Sequence, residues 1–396
     1  MWYHLAMNFI KRVIVLLGIA APLALIGWLI SLHGMREDVG NYTPLLREFQ
    51  LVAGAGLLIL LLTLIERYLR RRLGRMNRFP SNELTVLATI VVLAVVFFAC
   101  YIFIPFLSRH GEVQPQIIMK EGPQASGASF PLRIAVGSDP HFGAYDSRSD
   151  RTIKMLDIIR NPANKYQAFF LLGDLVQLGF NDYMWKQALL MVSPVTSAMP
   201  SSFVLGNHDS MFHGYSLYRK YLCPPGQGPF WRRIDIGKVH FLELDLEYGL
   251  LLYTPQQEAW LKKQLAAIPR ADWCVVMCHT FFYCSGGRKD GWDWLDNKPV
   301  IDKLVPLFEQ YGVDLVLSGH KHQSEILKKN DVTYGIFGSF GGHLDEGRTY
   351  TSPASLWYQA KQHCFADITF QNSQTGKLTV RDSDNKVMFE TGLSNR

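Results

Sequence analysis

Residues 314–322 read DLVLSGHKH, a hydrophobic run that ends in two histidines one residue apart. The apolar part has the length and composition of a buried β-strand, and polar side chains follow it at once. A histidine pair in this position could be a surface feature, part of a structural zinc site or part of a catalytic centre. The rest of the chain decides between these three interpretations.

Four other hydrophobic runs end in the same way. Each is a continuous apolar segment of the kind found in sheets that are covered on both faces, and Asp, Asn or His follows it. They are residues 133–139 (RIAVGSD), 168–174 (AFFLLGD), 202–209 (SFVLGNHD) and 274–279 (CVVMCH). Amphipathic segments alternate with these runs, which predicts a layered α/β architecture. Ligands in such folds bind beyond the carboxyl ends of the strands, so we expect the five ends to converge on one site.

The strand ends carry five ordered motifs. They are Asp139-Pro140-His141, Gly173-Asp174, Gly206-Asn207-His208-Asp209, His279 and Gly319-His320-Lys321-His322. Together, over residues 133–325, they resemble the calcineurin-like metallophosphoesterase superfamily. One motif alone would be weak evidence, but chance would have to supply each ligand type at the right strand end. The resemblance implies a four-layer α/β/β/α domain that hydrolyses a phosphate ester or a pyrophosphate.

The resemblance also implies two divalent metal ions, Mn, Fe or Zn, held by seven side chains. It assigns Asp139, His141 and His322 to the first metal, Asn207, His279 and His320 to the second, and Asp174 to both. A carboxylate can bridge two cations, and imidazoles with an amide oxygen suit these metals. Residues two apart in an extended segment point the same way, so we expect Asp139 and His141 to face one ion. His320 and His322 would serve neighbouring ions about 3.5–4 Å apart.

The implied chemistry is attack of a bridging hydroxide on phosphorus, with the metals lowering the pKa of the water and holding the phosphoryl oxygens. The resemblance implies that His208 stabilises the developing charge or protonates the leaving oxygen. It also implies that Asp209 orients His208 or the loop that carries it. Gln177 takes the place of an acid in protein Ser/Thr phosphatases and of a tyrosine iron ligand in purple acid phosphatases. We therefore expect another group to support His208. Residues 230–265 are nevertheless similar to purple acid phosphatases, which implies similar packing around the site.

Neighbouring loops supply further candidates. His343 lies in the glycine-rich segment GSFGGHLDEG, residues 338–347, and loops often carry function. The loop after His279 holds aromatic residues that could form a substrate wall or pack internally, and two cations that could contact phosphate or stay solvated. These are Tyr283, Trp292, Trp294, Arg288 and Lys289. A structural zinc site is disfavoured, because it requires four closed ligands that are usually rich in cysteine.

The first 107 residues differ from the remainder. Residues 13–32, 49–65 and 84–107 are uncharged apolar runs close to the ~20 residues that span a bilayer. We predict three transmembrane helices, with a re-entrant second run as the alternative. A cleaved signal peptide would explain the first run alone. The arginine-rich residues 66–78 and the basic residues before the first run place the N-terminus in the cytoplasm by the positive-inside rule.

This topology predicts a multi-pass protein of the cytoplasmic (inner) membrane. Residues 108–131, rich in Pro, Gly and Ser, form a predicted linker, and residues 132–396 form the catalytic domain on the extracytoplasmic side, the periplasm of a Gram-negative cell. Within that domain we expect a packing helix over residues 150–160. Residues 364–370 and 377–390 are expected as closing strands at the edge of the second sheet.

The sequence predicts a membrane-anchored phosphoesterase acting on a phosphorylated small molecule or a lipid-linked substrate. The net charge of +6 says little about the substrate, because the arginine-rich segment supplies much of it, and no nucleic-acid partner is expected. The alternative is a membrane scaffold or sensor with an inactive phosphoesterase-like domain, which the filled ligand positions disfavour. A transporter is disfavoured because the apolar runs carry no internal charge. The motifs do not separate monoesters, diesters and pyrophosphates.

Overall fold

The computed structural model describes residues 130–211, 214–222, 230–247, 249–289 and 292–395. The three apolar runs and nearly all of the predicted linker lie outside these ranges, so the membrane topology stays a prediction. Within the described ranges, no helix has the length and apolar character that crossing a bilayer requires.

Two β-sheets form the centre of the domain. The strands are β1 (Leu132–Gly137), β2 (Ala168–Leu171), β3 (Ser201–Phe203), β4 (Arg232–Ile236), β5 (Val239–Glu243), β6 (Trp273–Met277), β7 (Gly287–Lys289), β8 (Trp292–Trp294), β9 (Leu315–Ser318), β10 (Ser324–Lys329), β11 (Val332–Phe337), β12 (Ser355–Gln359), β13 (Cys364–Phe370), β14 (Thr375–Asp382) and β15 (Val387–Ser394). The first sheet has the order β15-β14-β13-β1-β2-β3, and the second has the order β12-β10-β11-β9-β6-β5-β4. β7 and β8 form a separate two-stranded ribbon.

Each sheet has a parallel centre with antiparallel strands beside it. In the first sheet β1, β2 and β3 run parallel, and in the second β5, β6, β9 and β11 do. Strands in such a centre are covered on both faces, which explains the uninterrupted apolar runs in the sequence. All five predicted motifs follow one of these parallel strands, so their side chains gather where the parallel strands end.

Six α-helices lie in the described residues, and all except the short α3 cover the outer faces of the sheets. They are α1 (Ser149–Arg160), α2 (Asp182–Thr196), α3 (Asn207–Ser210), α4 (Gly214–Leu222), α5 (Pro255–Ala267) and α6 (Lys298–Tyr311). Their starts follow capping chemistry. The Asn181 side-chain oxygen accepts hydrogen bonds from the first amides of α2, and Thr254 accepts one from Gln257 at the start of α5. α1 includes the helix predicted over residues 150–160.

Three apolar clusters hold the layers together. The first fills the space between the sheets. There the ring centroids of Phe170 and Phe241 lie 4.7 Å apart, and those of Trp273 and Phe370 lie 5.1 Å apart. The second joins the seven-stranded sheet to α5 and α6, and the third joins the six-stranded sheet to α1, α2 and α4. The described domain is therefore helix on sheet on sheet on helix. Each fully buried Val, Leu, Ile or Phe adds about 1.5–3 kcal/mol of transfer free energy.

The C-terminal strands differ from their expected arrangement. The segment 377–390 holds parts of two strands, β14 and β15, because a tight turn interrupts it: Asn385 has φ 65°, and the Asp382 side chain accepts from the amides of Asp384 and Lys386. The three last strands also join the first sheet rather than the second, since β13 pairs antiparallel with β1. Alternate β13 residues then face the same intersheet core as β1.

Candidate metal centre

The structure brings all seven predicted metal ligands together at the carboxyl ends of the parallel strands. Asp139 and His141 follow β1, Asp174 follows β2, Asn207 begins the helix after β3, His279 follows β6, and His320 and His322 follow β9. Five of the seven are buried, and His320 and His322 are nearly so. Their assignment as metal ligands stays a prediction, and its support is the geometry of the ligand atoms.

The first ligand group contains Asp139, His141 and His322. The two histidine Nε2 atoms lie 3.1 Å apart, and Asp139 Oδ1 lies 3.6 Å from one and 3.5 Å from the other. Asp139 Oδ1 is buried and has no hydrogen-bond donor among the described residues. Ligand atoms bound tetrahedrally at about 2.1 Å lie about 3.4 Å apart. The donor atoms therefore have the spacing of a metal site. A cation would also supply the partner that the buried Asp139 Oδ1 lacks among the described residues.

The second group contains Asp174, Asn207, His279 and His320. Three atoms surround His279 Nε2: Asn207 Oδ1 at 2.8 Å, His320 Nδ1 at 3.1 Å and Asp174 Oδ2 at 3.3 Å. The same Asp174 Oδ2 lies 3.5 Å from His141 Nε2 in the first group. One carboxylate oxygen thus faces both groups, which is the arrangement that a bridging ligand requires.

Hydrogen bonds from outside the two groups fix the orientation of the rings. His279 Nδ1 lies 2.8 Å from the Leu172 carbonyl, and because a carbonyl only accepts, Nδ1 carries the proton and leaves the Nε2 lone pair for a metal. His141 Nδ1 donates in the same way to Gln177 Oε1 at 2.8 Å. The second oxygen of Asp139 accepts from the His320 amide at 2.9 Å.

Left-handed backbone presents four of the seven side chains. Asp139, His141, Asp174 and His320 have φ of 61°, 46°, 53° and 68°. The expectation that an extended segment aims Asp139 and His141 at one ion is therefore wrong in its mechanism, although both residues do reach the first group. A left-handed conformation costs an L-residue roughly 1–2 kcal/mol, and such strain is found where the surrounding structure enforces it.

The glycines of the motifs allow the strand ends to pack closely. A side chain at Gly206 would collide with the amide and carboxylate of Asp174, and one at Gly319 would collide with Ser138 and with Asp139. The glycines before Asn207 and His320 are therefore explained by the space that a Cβ atom would take from the ligand of another strand.

His208 has the backbone support that the sequence left unidentified. Its Nδ1 lies 2.9 Å from the Gln177 carbonyl and so carries the proton, while its ring packs edge-on against His141 with centroids 4.6 Å apart. His208 Nε2 is then free of that proton. Gln177 thus contributes its side chain to His141 and its carbonyl to His208.

Asp209 orients the loop rather than the His208 ring. Its two oxygens accept hydrogen bonds from the amides of Val176 at 3.0 Å and Gly206 at 3.1 Å. These bonds tie together the loops that follow β2 and β3. Burial and the charge of Asp174 raise the pKa of Asp209 to about 8.

The charges of the centre are strongly coupled. Burial raises the pKa of Asp174, but the imidazoles of His279 and His208 outweigh it and leave the pKa below its usual value. Burial lowers the pKa of His279, while the carboxylates of Asp174 and Asp139 outweigh it and raise the pKa to about 10. Burial and the neighbouring His279 lower the pKa of His320 to about 3. The raised pKa places a second proton on His279, at Nε2, where a metal would bind. Metal binding must therefore displace the Nε2 proton.

An aromatic wall borders the second group. Phe281 stacks on His320 with centroids 6.0 Å apart, and Trp294 lies 5.5 Å from the same ring. Lys321 lies over the Trp294 ring and forms a 2.5 Å ion pair with Asp345. Sequence reasoning singled out Trp294 but missed Phe281, although its position two residues after His279 was an available signal.

The remaining candidates lie elsewhere or pack internally. Tyr283 is buried against Tyr334, and His343, partly exposed, pairs with Asp146 at 3.1 Å. The side chains of Arg288, Lys289 and Trp292 lie outside the described part of the structure. The described cysteines, Cys274, Cys278, Cys284 and Cys364, are buried and unbridged.

Comparisons with known proteins find similar phosphoesterases. Residues 132–324 match the family model for calcineurin-like phosphoesterases. Acid phosphatase type 7 of Danio rerio is 28% identical over 223 residues, which cover 50% of each chain. Purple acid phosphatase 18 of Arabidopsis thaliana is 24% identical over 298 residues, or 70% of this chain and 64% of the relative. The chain thus spans about half to two thirds of the length of these relatives.

A comparison of folds finds the same architecture in a solved structure. The structure of a purple acid phosphatase from yellow lupin seeds superposes with a TM-score of 0.59 at 18% identity, covering 68% of this chain and 54% of that one. Members of the family use binuclear centres of Fe, Zn or Mn, and three groups of side chains here have the donor types and spacing for such metals. Residues 132–324 therefore form a calcineurin-like phosphoesterase domain with purple-acid-phosphatase-like features.

Proposed function

We propose that this protein is a membrane-anchored, metal-dependent phosphoesterase that hydrolyses a phosphate ester or pyrophosphate at a two-metal site. The observation that supports this most directly is the position of Asp174 Oδ2, 3.5 Å from His141 Nε2 and 3.3 Å from His279 Nε2. A buried carboxylate between two sets of imidazoles is suited to two cations and poorly suited to an apolar core.

The residues around the centre have separable tasks. Two bound metals would supply an activated water and stabilise the charge on the phosphoryl group. Asp139 and Asp174 provide the negative charge that holds the metals, and Gln177 and Leu172 fix the tautomers of two ligand histidines. His208, protonated on Nδ1, presents Nε2 to hold or deliver a proton at the leaving oxygen.

We propose further that the substrate is a lipid-linked or envelope phosphate on the extracytoplasmic side of the cytoplasmic membrane. Three apolar runs precede the domain, and a flexible linker of this length has a root-mean-square reach of roughly 25–30 Å. An active site held that close to a bilayer samples membrane phosphates continuously. A soluble phosphoester of the same compartment is the second candidate, with the same chemistry.

The test uses the full chain, purified in detergent with Mn²⁺, on p-nitrophenyl phosphate and bis(p-nitrophenyl) phosphate. We expect metal-dependent turnover that Asp174→Asn abolishes, while the matched variant Asp157→Asn, at an exposed acid on α1, retains it. Turnover that persists in Asp174→Asn would contradict the proposed site.

The remaining outcomes separate the alternatives. The preferred ester would direct the search to monoesters or diesters. Two bound metals without turnover of either ester would point to a demanding substrate such as a lipid pyrophosphate. No metal and no turnover would contradict the enzyme proposal and favour the scaffold or sensor.

A further inference from the structure

Three aromatic side chains are exposed beside the metal centre. In the part of the chain that the structure describes, the large hydrophobic side chains that are exposed include three aromatic residues, Tyr145, Phe180 and Tyr183. Their exposed fractions are 100%, 42% and 69%. We call these three residues the aromatic rim.

The rim residues belong to the loops that carry the site. The turn with Tyr145 begins at His141, whose carbonyl accepts a hydrogen bond from the Ala144 amide at 3.0 Å. Phe180 follows Gly179, whose amide donates to the His208 carbonyl at 2.9 Å. The rim is therefore joined to a predicted ligand and to the predicted proton donor.

The two rim segments also contact each other. Gly143 lies so close to Met184 that a Cβ atom there would be 2.7 Å from the methionine sulfur. Met184 follows Tyr183, and Gly143 is two residues before Tyr145. The two segments that carry the rim are thus packed together, and one of them continues from the backbone that holds His141.

A basic group lies at the Tyr183 end of the rim. Lys186 and Lys220 both pair with Asp182, at 2.7 Å and 2.8 Å, and both lysines are more than half exposed. Two cations share one carboxylate, so this group carries one net positive charge. Tyrosine rings and lysines whose stems lie along apolar surface are enriched at the level of lipid headgroups, and anionic lipids attract the net charge.

We propose that the aromatic rim lies in the interfacial layer of the bilayer and presents the metal centre to the phosphate of a membrane lipid. This inference rests on the proposed function. The bilayer is the favoured occupant because 129 residues with three apolar runs precede the first described residue and end in a linker of limited reach. A rim with two phenolic hydroxyls and a basic group beside Tyr183 suits a headgroup layer better than a second protein core.

The first test measures contact with lipid and does not depend on activity. The full chain is reconstituted in vesicles of phosphatidylcholine and phosphatidylglycerol, with and without brominated acyl chains, as Tyr145→Trp and as the matched control Leu356→Trp. Leu356 is also exposed, but it lies on the edge strand β12 of the other sheet. After subtraction of the unsubstituted chain, we expect bromine to quench the new tryptophan at position 145 and not at position 356.

Two results would overturn the proposal. One is equal quenching of both variants. The other is a position-145 emission that shifts to the blue with protein concentration in detergent, because a second copy would then cover the rim. Since position 145 is fully exposed, the substitution leaves the packing unchanged, and misfolding does not confuse the result.

The second test separates this proposal from the proposed function. The variant Tyr145→Ser with Tyr183→Ser is compared with the unsubstituted chain for quenching of Phe180→Trp and for turnover of bis(p-nitrophenyl) phosphate. We expect the quenching to be lost and the turnover of the soluble ester to be kept. Ester turnover without any rim quenching would overturn the docking surface and leave the phosphoesterase. Rim quenching with neither ester turnover nor bound metal would leave the surface and count against the enzyme.

Discussion

Two buried carboxylates near the first sheet's strand β1 have opposite environments. Asp367 on β13 receives hydrogen bonds from Arg133 Nε at 2.8 Å, Arg133 Nη2 at 2.7 Å and Arg381 Nε at 2.7 Å. Asp139, just beyond the other end of β1, is fully buried, and its Oδ1 has no donor in the described residues. Both oxygens of Asp367 are bonded by arginines of the described chain, whereas Asp139 keeps one oxygen, Oδ1, that a cation would satisfy.

The difference separates structural charge from functional charge. Burying a carboxylate is costly unless it is paired, and a guanidinium pair supplies the partner permanently. Imidazoles near Asp139 supply a partner only while they are protonated, which leaves room for a metal to replace the protons. The two sites should therefore respond in opposite ways to metal, to pH and to neutralisation of the carboxylate.

The largest expected effect follows from neutralising the carboxylate in the centre. Asp139→Asn should lower metal-dependent turnover about 10³-fold, or about 4 kcal/mol in activation free energy, because the first metal loses its anionic ligand. A less than tenfold loss of turnover would contradict the site.

Neutralising the structural carboxylate should act on stability. Asp367→Asn should lower the free energy of unfolding by about 3 kcal/mol at neutral pH, with or without metal, and leave the metal requirement for turnover unchanged. Urea unfolding of both proteins with EDTA and with Mn²⁺ measures this. An effect that appears only with Mn²⁺ would contradict the assignment of Asp367 as structural.

The pH dependence of that effect has a defined sign. Burial raises the pKa of Asp367, but hydrogen bonds from Arg133 and Arg381 outweigh it and leave the pKa below its usual value. The folded pKa is thus lower than the unfolded value of about 3.9, so the stabilisation is complete above that pH and is lost as the pH falls through the folded pKa. The difference between the unsubstituted chain and Asp367→Asn should shrink below about pH 4, and an unchanged difference would refute the account.

Metal should stabilise the protein through Asp139 and not through Asp367. Mn²⁺ at about one hundred times its dissociation constant should add about 2.7 kcal/mol to the free energy of unfolding. Asp367→Asn should keep this increment, and Asp139→Asn should lose most of it. Thermal melts across a Mn²⁺ titration distinguish these outcomes, and equal increments in both variants would place the metal elsewhere.

A smaller effect is expected at Gln177. Gln177→Leu removes the acceptor for His141 Nδ1 but keeps the carbonyl that accepts from His208 Nδ1. Metal affinity should fall about 10–100-fold, as for other groups that orient a metal ligand. At saturating metal the kcat should be largely restored. A kcat that stays low at saturating metal would show that the side chain acts on the reaction itself.

The sequence predicted the strand ends that carry the site better than it predicted turns and backbone contacts. Each predicted ligand follows an apolar run that forms a strand. The continuous apolar run and the residue type at its end were therefore sufficient to place Asp174 and His279. The β14–β15 turn was missed because its signal is local turn chemistry within a continuous polar segment. The two contacts of Gln177, with His141 and with His208, could not be predicted. One of them uses the backbone carbonyl, which every residue type has.

The left-handed conformation of Asp139, His141, Asp174 and His320 has a consequence for the history of the chain. At each position glycine would relieve the backbone and also remove a ligand. Substitutions chosen only to raise thermal stability would therefore replace these ligands early, because their left-handed backbone is strained. Four such residues in one centre are expected where backbone strain serves the predicted metal binding at a cost in stability.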